Sequence, residues 1–188
     1  MRPGIGCFVL LGLPSSGRVH AAMALVLALL APLHPGLARA DTWDRIGRYA
    51  ALIRRAGTET MVAKDCPDML LGAFHAPRNA LLLCANNLED DPLQVWVVLA
   101  HESAHVMQHC HGASLLADHQ VGDALARIES QSRSSFKELR LYHQSKQRDE
   151  IEARLVQGMP PEEVEALFRS FCADELHGGA PTSPPASP

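Results

Sequence analysis

The sequence predicts a mainly helical α+β domain in which a small antiparallel strand unit packs beside one buried helix. Three observations carry this. Residues 93–100 read LQVWVVLA, and a helix apolar on nearly all sides belongs in a core. Trp43, Ile46, Ala50 and Ile53 recur along one face of an earlier segment at helical spacing. Between these, residues 70–75 and 80–83 are short extended runs around Ala76-Pro77-Arg78-Asn79. Pro77 there fits a turn or a sheet edge, not a central strand.

The elements follow in order. Asp41 or Thr42 caps a first helix reaching about Arg55, and Gly57 interrupts it. Asp90 or Asp91 caps the central helix, with Pro92 in its first turn and Gly112 as its stop. Residues 115–128 read as helix, 130–135 as a polar turn and 145–157 as helix again. Gly158-Met159-Pro160-Pro161 ends that one. A last helix covers 161–176, with Glu162 and Glu163 favourably placed in its first turn. Trp96, Met69 and Met107 read as packing residues. Residues 178–188 contain four prolines and read as a disordered tail, which leaves 41–177 as a single domain.

Composition narrows the function. The 188 residues carry 17 Lys+Arg against 21 Asp+Glu, with 47% hydrophobic and 20% charged residues. This excludes a wholly disordered chain and suits one domain better than two. Residues 1–40 hold three arginines and no acidic residue, so the remainder has 14 basic against 21 acidic side chains and a net charge of −7. Such a chain is not expected to bind a phosphate backbone, and no nucleic-acid partner is expected.

Residues 21–31 read AAMALVLALLA after Arg18, and Pro32 and Pro35 lead to Ala38-Arg39-Ala40. A short apolar run closed by a small-x-small ending predicts a secretory signal over residues 1–40, cleaved after Ala40. The run is short for a membrane span. The mature chain is therefore expected to be exported, periplasmic or secreted, without stable membrane association. It keeps Cys66, Cys84, Cys110 and Cys172, an even number that predicts two disulfides in an oxidising compartment. Segment placement favours Cys66–Cys84 and Cys110–Cys172 among the three connectivities.

The chemistry centres on His101-Glu102-Ser103-Ala104-His105, which matches H-E-x-x-H. Helix positions four apart share a face, so both imidazoles reach one ion, and neutral imidazoles are good zinc donors. Glu102 lies beside that face, able to take a proton from an activated water. Random placement of the ten histidines and the glutamates yields this pattern only about 0.03 times in such a chain. A catalytic zinc site needs a third protein ligand, and Glu129, Glu150, Glu152, His109, His111, His119 and His143 are the candidates. Glu150 and Glu152 project about 200° apart on a helix, so only one of them faces the metal.

About 45 residues after the motif comes Glu150-Ile151-Glu152-Ala153-Arg154. The pair of elements resembles the gluzincin metallopeptidases, whose third ligand is a glutamate on a downstream helix. It is also similar to small secreted or periplasmic HExxH proteins of bacteria. The resemblance runs from about Asp65 to Cys172. It implies a minimal zincin-like domain with one Zn2+ held by His101, His105 and Glu150, with Glu152 as the competing third ligand. The E-x-x-A-D element of such peptidases departs here at its last position, Arg154. That aspartate often orients a histidine ligand, so Glu152 or a backbone carbonyl has to substitute.

The implied reaction is peptide-bond hydrolysis by metal-activated water on a peptide or protein substrate. Glu102 is the general base, and His143 and Tyr142 are the favoured partners for charge on the intermediate. Residues 72–83 would offer a strand edge to the peptide backbone, with Arg78 and Asn79 at the turn and His75 near the cleft. The alternative is a non-catalytic or degenerate zinc-binding or structural protein with a partner-binding role.

Overall fold

The computed structural model describes residues 35–139 and 143–178. The first helix, α1 (Pro35–Arg55), begins ahead of the expected cap at Asp41 or Thr42. Residues 38–40, Ala-Arg-Ala, favour helix and nothing among them breaks it. Gly57, at a φ of 84°, lets the chain turn out of α1 in a left-handed conformation. Residues 1–34 of the expected signal and residues 179–188 of the expected tail lie outside the described residues.

Three strands follow: β1 (Glu59–Ala63), β2 (Gly72–His75) and β3 (Ala80–Cys84). The expected antiparallel pair is β2–β3, in register from Gly72 opposite Leu83 to His75 opposite Ala80. The sheet is nevertheless mixed, because β1 pairs parallel to β3, and the strand order is β1-β3-β2. β1 escaped the sequence reading because it is largely exposed and lacks the apolar alternation of a half-buried strand. Its entry is held by Asn79, which sits at a φ of 45° after a tight helical turn. Asn79 accepts from the Thr58 hydroxyl at 2.7 Å and donates to the Gly57 carbonyl at 3.1 Å.

Asp91 caps α2 (Pro92–His111) by accepting from the Leu93 N–H at 3.0 Å, and Pro92, which lacks an N–H, opens the helix. Gly112, at a φ of 67°, ends it. Val95, Trp96, Leu99, Ala100, Ala104, Val106 and Met107 of α2 are buried in the main core with Tyr49 and Ile53 of α1 and Leu81 of β3. The burial is not complete all round, since Leu93 and Val97 face outward. Met69, expected in the core, is 90% exposed at a φ of 68° in the turn before β2. The buried Tyr49 hydroxyl donates to Ser103 at 2.8 Å, and the Ser103 hydroxyl donates in turn to the Ala100 carbonyl at 2.8 Å. A phenol at that depth would be costly unpaired.

Residues 115–117 are not helical as expected; the chain re-enters helix through a short turn at Asp118–Gln120 and then α3 (Val121–Gln131). The expected polar turn over 130–135 shrinks to a break at Ser132, followed by α4 (Arg133–Leu139). Next come α5 (Gln144–Gln157), α6 (Pro161–Phe171) and the short α7 (Ala173–Leu176). The last two replace the single helix expected over 161–176. Ala153 and Val156 of α5 and Val164 and Phe168 of α6 complete the main core against α2. Ile128, Leu139, Ile151 and Leu155 form a smaller one on the far side of α5. No described helix is long and apolar enough to cross a membrane.

Two disulfides form with the favoured connectivity. Cys66–Cys84 clamps the β1–β2 loop to the end of β3, and Cys110–Cys172 ties the end of α2 to the end of α6. Their sequence separations are 18 and 62 residues. Chain-entropy arguments then give about 3 kcal/mol for the short loop and about 4 kcal/mol for the long one. Urea unfolding of the paired serine variants should show this order, with Cys110→Ser/Cys172→Ser the less stable of the two.

Candidate metal centre

α2 and α5 pack face to face, and their contact builds the site. His101 and His105, one turn apart on α2, present Nε2 to Glu150 on α5. The Nε2 to carboxylate distances are 3.5 Å from His101 and 3.6 Å from His105, and all three side chains are less than one-fifth exposed. The donor atoms of these residues lie within 4.8 Å of one another. Distances of 3.5 and 3.6 Å are long for hydrogen bonds but close to the edge of a tetrahedron with zinc-like bonds, about 3.4 Å. Glu150 Oε2 is buried with no hydrogen-bond partner, a costly state that a cation would relieve. Two imidazoles and a carboxylate are also the donor types that zinc takes. The residues therefore fit a divalent cation such as zinc.

The remaining candidates lie elsewhere. Glu152 is buried on a different face of α5 and accepts from the Leu115 and Leu116 N–H groups at 2.9 and 3.0 Å. His109 is exposed on the cleft side of α2 with its ring 5.6 Å from that of Phe74, and His111 packs against Phe171 at 5.2 Å. His143 is exposed just before α5, and Tyr142 lies outside the described residues. His75 accepts from the Arg78 N–H and so caps its own turn. Among the described residues one other cluster has metal-ligand composition, Cys110, Cys172 and Glu175, and its sulfurs are joined as a disulfide.

Two glutamines were missed as functional residues. Gln157 Oε1 lies 2.8 Å from His101 Nδ1, and Gln108 Oε1 lies 2.8 Å from His105 Nδ1. These carboxamides stand where Glu152 or a backbone carbonyl was expected. Helical spacing was the available signal: Gln108 is one turn beyond His105, and Gln157 two turns beyond Glu150. Lys146, one turn before Glu150, was missed as well, and it lines the cleft beside the cluster.

Glu102 is 7% exposed. Burial pushes its carboxyl upward, opposed by His101 and His105, raised further by Glu150 and opposed again by the Phe74 backbone beside it. The pleat accounts for that placement. The Cys84 N–H donates to the Leu71 carbonyl, so alternation turns the backbone groups of Gly72 and Phe74 away from β3. Gly72 allows β2 to lie this close to α2: a Cβ there would stand 2.7 Å from Val98 Cγ1 and 3.0 Å from Glu102 Cγ. Beside the cluster opens a cleft of about 590 Å³ whose lining includes Phe74, His105, His109, Ser114, Lys146 and Glu150.

The fold and site together define an α+β protein with a metal-chelating His/His/Glu triad built on an H-E-x-x-H helix. The chain belongs to the family described as a domain of unknown function, DUF8637, whose model matches residues 51–173. That span contains the triad, Glu102 and all four disulfide cysteines. No curated protein and no solved structure matches the chain.

The metal-free cluster has a definite pH signature. Burial opposes the charge on His101, but Glu150 and Glu102 outweigh it and raise its affinity for a proton; Glu150 is lowered because the two imidazoles and Arg154 outweigh its own burial. His101 and Glu102 both hold protons more tightly folded than unfolded. Their contribution is lost as pH rises from the ordinary 4.5 of Glu102 and 6.5 of His101 through the folded values. Glu150 acts oppositely, and its contribution is lost as pH falls below 4.5. In chelator, Tm should fall as pH rises past 6.5, the ordinary value of His101, and calorimetry of Glu150→Gln should show a shallower fall.

Proposed function

We propose that this chain is an exported zinc metallopeptidase that cleaves peptide bonds in a peptide or protein substrate. The observation that carries the reading is the combination of a His/His/Glu cluster with a buried, unpartnered Glu150 oxygen and a second carboxylate, Glu102, outside that cluster. A purely structural metal site has no use for Glu102. The H-E-x-x-H pair with a distal glutamate on a later helix also supports kinship with the gluzincins. The signal pattern over residues 1–40 and the two disulfides support export to a periplasmic or external compartment.

His101, His105 and Glu150 would hold one zinc ion. When bound, zinc supplies Lewis acidity and makes water a competent nucleophile near neutral pH. Glu102 takes the proton from the water as its oxygen attacks the scissile carbonyl carbon, and returns that proton to the nitrogen as the C–N bond breaks. Its burial favours the protonated state between those two transfers. The Phe74 backbone lies beside this carboxylate. Beside it, the outward N–H and C=O of Gly72 and the C=O of Phe74 offer main-chain pairing to an extended peptide. Tyr142 and His143, which precede α5 in the chain, keep the proposed role of stabilising charge on the carbonyl oxygen, and Lys146 brings a cation to the cleft beside the triad.

Metal analysis and peptide cleavage on the same purified samples test the reading. Wild type should carry one equivalent of zinc and cut a mixture of unfolded peptides. Glu102→Gln should keep the zinc and lose about 10²–10⁴-fold in rate. Glu150→Ala should bind zinc more weakly. Stoichiometric zinc without turnover would leave the non-catalytic zinc-binding reading, and a folded protein that takes no zinc would sink both.

A further inference from the structure

We propose that Glu152 is a positioning residue for His105: acting through Gln108, it fixes the imidazole as the Nδ1–H tautomer and leaves the Nε2 lone pair facing Glu150. The inference rests on the reading of His101, His105 and Glu150 as metal ligands, and it deepens that reading by assigning the group that prepares one of them.

The argument starts from a carboxylate that is 1% exposed. Every group aimed at it is a donor: the Leu116 N–H at 3.0 Å on one oxygen, the Leu115 N–H at 2.9 Å and Gln108 Nε2 at 2.9 Å on the other. The Arg148 guanidinium adds a charge at 3.6 Å. A carboxamide has one donor end and one acceptor end. The donor end of Gln108 faces two acceptors, Glu152 Oε2 and the Asp149 carbonyl at 3.0 Å. Reversing the amide would set its oxygen against both of them.

The acceptor end of Gln108 therefore faces His105 Nδ1, at 2.8 Å, and only an N–H satisfies it there. A neutral imidazole protonated on Nδ1 carries its lone pair on Nε2, the atom 3.6 Å from Glu150 Oε1. The direction of each bond is thus set from the buried carboxylate outward, through the amide, to the ligand ring. This is the substitute for the aspartate that Arg154 replaces. The same carboxylate fixes the backbone of Leu115 and Leu116, immediately after Ala113 and Ser114 at the cleft wall. One side chain therefore holds both a ligand and a wall of the site.

The test compares wild type, Glu152→Gln, Gln108→Met and the double variant. Zinc affinity is read by competition with a chromophoric chelator. The His105 tautomer is read from imidazole ¹⁵N shifts of the zinc-free protein at about pH 8.5, above the ordinary imidazole range. Gln108→Met leaves the bonds from Glu152 to Leu115 and Leu116 in place, so it carries the test alone if Glu152→Gln does not fold. Wild type should show Nδ1–H at His105, and both single variants should move it toward Nε2–H. Each should bind zinc about 10–100-fold more weakly, with the double variant no weaker than the worse single. An unmoved tautomer in Gln108→Met, or losses that multiply in the double variant, overturns the relay. Wild type that takes up no zinc would instead overturn the metal-site reading, and the tautomer comparison would still judge the relay.

Discussion

The close packing of α5 on α2 is the contact on which the remaining structure depends. Ala100, Ala104 and Ala153 are fully buried in the core these helices share, and small side chains at a helix contact let backbones approach. The approach is near enough for Gln108 on α2 to donate to the Asp149 backbone carbonyl on α5. At that separation a glutamate one turn before Ala153 meets two histidines one turn apart. A larger residue at any of these three positions would push the ligand helices apart, and a metal tolerates little change in donor spacing.

The same closeness creates the polar demands that the site resolves. Bringing two imidazoles and three carboxylates into a largely buried layer is costly unless each finds a partner. Glu152 is satisfied by backbone N–H groups and an amide, and Glu102 faces the Phe74 backbone. Glu150 is left with an unmatched oxygen facing the histidines. Saturation of the supports and incompleteness of the centre are what a preorganised metal site requires, since supports that are fully bonded cannot rearrange when the ion enters or leaves. The sheet serves the same end: β2 lies against α2 at Gly72, beside Glu102.

Much of this was legible in advance where the signal was local. The cap at Asp91, the stop at Gly112 and the H-E-x-x-H ligands depend on neighbours within a turn or two. The hairpin around Pro77 is equally local. The opposed directions of Glu150 and Glu152 came from helix geometry as well. The failures share the reverse property. β1 is a strand because β3 has a free edge for it, and its own residues show little pattern. Residues 115–117 look as helical as their neighbours, yet the buried Glu152 takes two of their N–H groups and keeps them out of the helix. Gln108 reads as an ordinary polar residue near a helix end until α5 supplies it with acceptors.

The sequence by itself determined the H-E-x-x-H donor pattern and the helix that carries it, because residue identity and i,i+4 spacing are properties of a few consecutive residues. It determined also that four cysteines had to be accommodated in the domain. Only the tertiary structure decided which glutamate meets the histidines, which partner each imidazole meets, and how β2 comes to lie against Glu102. Those choices depend on distances of a few tenths of an ångström between segments tens of residues apart. Such distances are set by how closely the core packs around Ala100, Ala104 and Ala153, and no local pattern in the chain encodes them.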